Sequence, residues 1–99
     1  MATTVLSLPH EVTIYTATEV AALCRAWLDE APADAASLSV QADGVGEIDG
    51  AGLQVLVALA HSAALRNRAI EFAEPSAALR AACATLGASA LLAPAGAVA

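Results

Sequence analysis

The sequence is poor in basic residues, and this scarcity excludes two classes of partner. Four basic residues stand against ten acidic ones, for a formal net charge of −6. Proteins that bind nucleic acids neutralise phosphates with clustered Lys and Arg, and anionic membrane surfaces attract the same side chains. We therefore expect neither a nucleic acid nor a membrane as a partner, whereas a basic protein suits the charge.

Aromatic residues are also scarce, with one Trp, one Tyr and one Phe in the chain. Apolar residues make up 59% of the sequence, but many of them are alanine. Burial contributes about 25 cal/mol per Å² of apolar area, so we expect one modest core. The length of 99 residues predicts a single domain, with a core at about residues 4–92 and a flexible tail at 93–99.

Long apolar runs and targeting signals are lacking as well. The N-terminus has no basic segment followed by an apolar run. Residues 81–99 are uncharged but consist mainly of alanine, interrupted by Gly87, Pro94 and Gly96. A membrane span needs about 20 predominantly apolar residues. We therefore predict a cytoplasmic protein without membrane insertion.

The sequence contains no recognisable metal, cofactor or nucleophile motif. Cys24 and Cys83 are far apart, without Cys or His at metal-ligand spacing, and are predicted to be buried free thiols rather than a disulfide. The glycines of Gly44–Gly46 and Gly50–Gly52 match neither a phosphate-binding loop nor a dinucleotide fingerprint. A Gly-x-Ser-x-Gly nucleophile motif is absent. We expect no metal and no cofactor.

The N-terminal half predicts two strands and a helix. Thr4 to Leu8 is a short, largely apolar run, and Glu11 to Tyr15 alternates apolar with polar residues. Both segments are predicted to be strands, and we expect them to pair antiparallel. Thr16 and Glu19 have the spacing of a capping box at a helix start. The apolar stripe of that helix comprises Val20, Leu23, Cys24, Trp27, Leu28 and Ala31.

The rest of the chain alternates strand and helix. Leu38 to Ala42 predicts a central strand, Gly52 to Leu65 a helix, and Ala69 to Ala73 a further strand. A last helix starts at Glu74-Pro75-Ser76 and ends at a left-handed Gly87, before a short element at Leu91-Leu92. The order β-β-α-β-α-β-α predicts an α/β domain with a small mixed β-sheet.

One stretch, Val45 to Leu56, joins the central strand to the long helix. Asp49 lies where the periodicity changes, and Asp is a preferred N-cap because its carboxylate accepts the free N–H groups of the first turn. Gly50 and Gly52 keep the turn free of side chains, so another backbone could approach closely. A strand, a glycine-bearing turn and a helix N-terminus form a suitable recognition point.

These residues resemble the signature of STAS domains, the family of bacterial anti-sigma factor antagonists. The matching positions are Gly44-Val45, Ile48-Asp49, Gly50-Ala51, Gly52-Leu53 and the apolar helix from Gln54. The resemblance implies a small sheet with helices packed mainly on one face, and a regulatory domain that binds a protein. In phosphoregulated members the residue after the Asp is a Ser or Thr that a kinase modifies. Here Gly50 occupies that position, so the resemblance implies constitutive binding.

The resemblance implies a contact surface around the turn and along the helix that follows it. Its residues are Asp49, Gly50, Ala51, Gly52, Leu53, Gln54, Val57 and His61. The expected partner is an anti-sigma factor kinase. The alternatives are a component of a chemotaxis signalling cluster or of a lipid-transporting ABC transporter. A third hypothesis is a small enzyme using Glu47, Asp49 or His61, although Asp49 is better explained as a helix cap and Glu47 as a solvated loop residue.

Overall fold

Strands and helices alternate along the chain, and a computed structural model describes residues 3–35 and 37–93. The strands are β1 (Thr3–Ser7), β2 (Glu11–Val12), β3 (Ser37–Gln41), β4 (Glu47–Ile48) and β5 (Ile70–Ala73). The helices are α1 (Ala17–Glu30), α2 (Gly50–Leu65) and α3 (Ala77–Thr85), followed by a 3₁₀ turn at Ser89–Leu92. Of the predicted tail, residues 94–99 lie outside the described part.

The main sheet has three parallel strands in the order β1-β3-β5. Leu6, Val40 and Phe72 lie in register across it, and all three are buried. The prediction that the strand starting near Leu38 is central is confirmed. Because parallel strands need crossover connections, α1 connects β1 to β3 by way of β2, and α2 connects β3 to β5 by way of β4.

Burial alternates along these strands, so one face of the sheet carries the core. Leu38 and Val40 are buried whereas the intervening Ser39 is partly exposed, and on the neighbouring strands Val5 and Glu71 are exposed. A period of two places these two groups on opposite faces. Helix α1 packs beside α2, and α2 contacts α3. The predicted α/β architecture, with helices mainly on one face, is confirmed.

The two N-terminal strands do not form the expected antiparallel pair. β1 pairs with β3, and β2 pairs in parallel with β4, matching Glu11 with Glu47 and Val12 with Ile48. The carbonyl oxygen of His10 accepts the N–H groups of Gly46 and Glu47 at 2.9 and 3.0 Å. These bonds direct the segment after Pro9 along residues 46–48 instead of back along β1. Strand β4 itself was not predicted.

The second predicted strand is also shorter than expected, because residues 13–16 form a turn. The hydroxyl of Thr16 accepts the N–H of Thr13 at 3.0 Å and donates to the carbonyl oxygen of Glu11 at 3.0 Å. The hydroxyl of Thr13 donates to a carboxylate oxygen of Glu11 at 2.6 Å. The apolar alternation of Val12 and Ile14 is therefore not continued as a strand.

The same bonds explain why the predicted capping box does not form. Thr16 is the N-cap of α1, as its position suggested, but its side chain makes no capping bond to the helix. The Thr16 hydroxyl makes its hydrogen bonds within the preceding turn and therefore does not bond the N–H groups that it was expected to cap.

The end of α3 and the two cysteines agree with the sequence. Gly87 is left-handed (φ 71°), and the N–H of Ala88 donates to the carbonyl oxygen of Cys83 at 2.7 Å, a bond typical of a glycine C-cap. Cys24 and Cys83 are buried free thiols. Burial raises the pKa of both, that of Cys24 to about 11. Leu91 and Leu92 pack against the core as a last short element.

Within the described ranges, no helix combines the length and the apolar content that crossing a bilayer requires.

Helix α2 offers a matched test of where the stability of the fold originates. Leu56 is 0% exposed in the core, whereas Leu65, at the end of the same helix, is 74% exposed. Leu56→Ala should lower the free energy of unfolding by about 2–5 kcal/mol, because it removes buried methyl groups and leaves a cavity. Leu65→Ala should change it by less than about 0.5 kcal/mol. Urea denaturation measures both, and equal effects would contradict the assigned burial of α2.

Candidate functional site

Asp49 is the N-cap of α2, as the sequence predicts. Its backbone is extended, and its Oδ1 atom accepts the N–H of Gly52 at 2.8 Å. The backbone carbonyl oxygen of Asp49 accepts the N–H of Leu53 at 2.9 Å. The helix begins at Gly50, two residues earlier than expected, because Asp49 supplies the cap directly before it.

The second carboxylate oxygen of Asp49 reaches a distant part of the chain. Its Oδ2 atom accepts the N–H of Ile14 at 3.0 Å, across 35 positions of sequence. The N–H groups of Ile14 and Gly52 hold the pKa of Asp49 below its usual range, since they favour the ionised carboxylate. One side chain therefore links the start of α2 to the turn at residues 13–16.

Gly52 permits the close approach on which this link depends. A Cβ atom at position 52 would lie 1.7 Å from the carbonyl oxygen of Val12. Gly52 is buried, and the backbone of α2 therefore packs directly against β2. The absence of a side chain at position 52 is a packing requirement of the fold.

Gly50 has a different environment from Gly52. It is exposed, and a Cβ atom at position 50 would meet its nearest neighbour, Cδ1 of Leu86, at 4.0 Å. That distance is an ordinary van der Waals contact, so a small side chain fits at position 50 without displacing backbone. The first turn of α2 thus contains one glycine that the fold requires and one that it does not.

The eight residues predicted to contact a partner fall into three groups. Gly50, Gln54, Val57 and His61 are exposed along α2; Asp49 and Ala51 are partly exposed; Gly52 and Leu53 are buried. The spacing of the exposed residues, three or four positions, places them along one side of the helix. The buried pair can support this surface by packing but cannot touch a partner directly.

The residues of the enzyme hypothesis are not all brought together. Glu47 and Asp49 line an open cleft of about 500 Å³, which Thr13 and Leu86 also line. His61 lies twelve positions after Asp49, about 18 Å further along α2 at 1.5 Å per residue. The lowered pKa of Asp49 keeps it ionised, which is the opposite of what a general acid needs.

Three large side chains near Asp49 are exposed, although the sequence pattern did not predict them at the surface. Ile14 is 63% exposed and Tyr15 is 88% exposed in the turn held by Asp49. Leu86, 54% exposed, lies beside Gly50. Ile14 and Tyr15 were included in the predicted strand, and Leu86 in the predicted last helix. The Thr13 and Thr16 hydroxyls were the available signal, because such side chains favour turns.

The family follows from a comparison with models of known families. The model described as "Mlab, STAS domain" matches residues 1–93. The chain belongs to the STAS domain family. A crystal structure of a sulfate transporter family protein from Wolinella succinogenes has the same fold, with a TM-score of 0.74 and 18% sequence identity. The match covers 92% of this chain and 71% of that one. No curated protein matched the chain.

Membership places the domain in a broad functional class. STAS domains are regulatory or transporter-associated modules that generally mediate protein–protein contacts and generally lack enzymatic activity. The signature residues of this member lie at the junction of β4 and α2, where Asp49 organises the turn.

The two glycines of the turn should respond differently to the same substitution. Gly52→Ala should lower the free energy of unfolding by at least about 2 kcal/mol, because the new methyl group overlaps the Val12 carbonyl oxygen and forces the backbone apart. Gly50→Ala should stay within about 1 kcal/mol of the wild type, because alanine restricts the unfolded chain and meets no clash. Urea denaturation of both variants checks this, and a strongly destabilised Gly50→Ala would contradict the open environment of Gly50.

The pH dependence of stability should show the role of the Asp49 carboxylate. Because folding lowers the pKa of Asp49, its contribution is fully present above the unfolded-state pKa and is lost as the pH falls through the lower folded-state value. Asp49→Asn, which keeps one oxygen acceptor and loses the charge, should be less stable than the wild type at neutral pH. The difference should shrink on acidification. Chemical denaturation at a series of pH values measures it, and a difference independent of pH would refute the electrostatic role.

Proposed function

We propose that this STAS domain is a non-enzymatic regulatory module that binds a protein partner constitutively through the turn at Asp49 and the exposed side of α2. The surface consists of Asp49, Gly50 and Ala51, extended along the helix by Gln54, Val57 and His61. Gly52 and Leu53 hold it in place from the interior.

The observation that carries the proposal is the environment of Gly50. By the sequence resemblance, Gly50 corresponds to the position where phosphoregulated relatives have a Ser or Thr. In the structure it is exposed and has open space around it. Residues 45–56 contain no Ser, Thr or Tyr, so this segment offers no hydroxyl for a kinase. A phosphate would add about −1.5 to −2 charges and a bulky group to the centre of the contact. Without an acceptor in residues 45–56, the turn at Asp49 stays in its unmodified form.

Constitutive binding moves regulation away from this turn. The amount of the protein, or modification at another position, would then determine how much partner is occupied. The leading partner is an anti-sigma factor kinase, since the resemblance at Val45 to Leu56 is to the antagonists of such factors. The alternatives are the ATPase of a lipid-transporting ABC system and a protein of a chemotaxis signalling cluster. These three partners are distinguishable by mass after capture.

The experiment is an affinity capture from the native lysate with three baits, identified by mass spectrometry. The baits are the wild type, Gly50→Asp and Gly50→Asn. Asp imitates part of the charge of a phosphate, whereas Asn has nearly the same size without the charge. We expect the wild type to retain a specific protein, Gly50→Asp to lose it, and Gly50→Asn to keep most of it.

Each outcome has a distinct meaning for the proposal. A kinase-like protein that the wild type and Gly50→Asn retain but Gly50→Asp loses supports the antagonist role. A transporter ATPase or a chemotaxis protein with the same behaviour supports the corresponding alternative. Equal retention by Gly50→Asp and the wild type would place the contact elsewhere and refute the proposed surface. Matched unfolding curves of the three baits exclude misfolding as the cause of a loss.

A further inference from the structure

The end of the molecule that contains Asp49 presents an unusual amount of apolar side chain to solvent. Ile14, Tyr15 and Leu86 are 63%, 88% and 54% exposed. They lie around the same two residues, because the N–H of Ile14 bonds Asp49 and Leu86 lies beside the adjacent Gly50. The chain has only three aromatic residues. One of them, Tyr15, is almost fully exposed, so its large side chain does not contribute to the stability of the core.

The turn that carries Tyr15 is held at several points. The N–H of Tyr15 donates to the hydroxyl of Thr13 at 3.2 Å, and the N–H of Thr13 donates to the hydroxyl of Thr16 at 3.0 Å. Asp49 fixes the intervening N–H of Ile14. Side chains on a turn whose backbone is already ordered lose less conformational entropy on binding. Ile14 and Tyr15 are therefore suited to act as anchors in a contact.

The charges around this apolar surface are of one sign. Of the residues that line the cleft beside it, the charged ones are Glu47 and Asp49. Glu47 is exposed, and in the described part of the chain its carboxylate has no hydrogen-bond or ion-pair partner. The carboxylate of Glu11 also adjoins the turn, through the hydroxyl of Thr13.

None of the four arginines is among the residues that line this cleft, and Arg25, on α1, lines a different pocket together with Gln54 of α2. Arg66 follows the last residue of α2 and pairs with Asp29 at 2.6 Å, and Arg68 donates to the carbonyl oxygens of Ala31 and Pro32. The 16 residues of α2 separate these cations from Asp49 by about 24 Å. Arg80, on α3, donates to the carbonyl oxygen of Pro75 and is not part of the cleft lining.

We propose that Tyr15, Ile14 and Leu86 are the apolar anchors, and Glu47 a charged specificity residue, of a docking surface for a basic, apolar protein segment. The inference rests on the proposed function, which places a partner at Asp49 and Gly50. It adds the chemistry of that partner: an apolar side chain packs against Tyr15, and an Arg or Lys enters the cleft toward Glu47 and Asp49. Tyr is enriched among the residues that dominate binding energy, and charge complementarity gives specificity and rapid association.

A phage-displayed library of random linear peptides, selected on the immobilised wild-type protein, tests this chemistry without knowledge of the native partner. We expect the enriched peptides to combine Arg or Lys with large apolar residues. Tyr15→Ala should weaken the binding of a synthesised consensus peptide about tenfold or more, as expected for a dominant contact residue. Glu47→Gln should weaken it about threefold and reduce its salt dependence, as expected for a partly solvated charge pair.

Two control variants match these changes at the other end of the molecule. Leu65→Ala removes a large exposed apolar side chain, and Glu30→Gln removes an exposed carboxylate. Neither should alter peptide affinity. Because Tyr15 and Glu47 are exposed, all four variants should keep the unfolding curve of the wild type.

The possible outcomes separate this inference from the proposed function. An acidic consensus, no enrichment, or peptides insensitive to both Tyr15→Ala and Glu47→Gln would overturn the inference. It would be overturned alone if the lysate capture remained sensitive to Gly50→Asp. If the peptides behave as expected while Gly50→Asp retains as much of the captured protein as the wild type does, only the proposed function fails. A wild-type dimer in light scattering that Tyr15→Ala dissociates would identify a second copy as the occupant and would also overturn the inference.

Discussion

The carboxylate of Asp49 is the interaction on which the organisation of the site depends. One oxygen caps α2 at Gly52, and the other holds the N–H of Ile14 in a turn 35 positions earlier. The two bonds fix the start of the longest helix against the loop that precedes the first one. The bond to Ile14 requires the start of α2 to lie close to the end of β2, which the absence of a side chain at Gly52 allows. A buried packing requirement and the proposed binding surface therefore involve the same few residues.

The parts of this arrangement that depend on neighbouring residues could be predicted from the sequence. The N-cap role of Asp49 and the left-handed Gly87 each follow from residues a few positions apart, and the structure confirms both. The family resemblance added the one-sided packing of helices on the sheet. The distinction between Gly50 and Gly52 could not be predicted, because it depends on Val12 and Leu86, which are distant in sequence.

The errors in the predicted N-terminal strands have two physical causes. Val12 and Ile14 alternate as strand residues do, but the hydroxyl groups of Thr13 and Thr16 provide the backbone with other hydrogen bonds and end the strand. The second cause is that strand pairing depends on segments distant in sequence: β2 pairs with β4, and β1 with β3. A periodic pattern indicates which face of a strand is buried, but it does not identify the neighbouring strand.

The distribution of apolar and charged groups gives the surface a direction. Among the residues of α2 in the proposed contact surface after the first turn, Gln54 and His61 are polar and Val57 is only 37% exposed. Ile14, Tyr15, Leu86 and the cleft carboxylates lie at the Asp49 end, whereas the exposed Leu65, Arg66 and Arg68 lie at or beyond the opposite end of the helix. The carboxylates of Glu47 and Asp49, with no basic residue among those that line the cleft, attract a basic partner to the Asp49 end. Residues 45–56 contain no phosphate acceptor, so under the proposed function these fixed apolar and acidic groups select the partner whenever the protein is present.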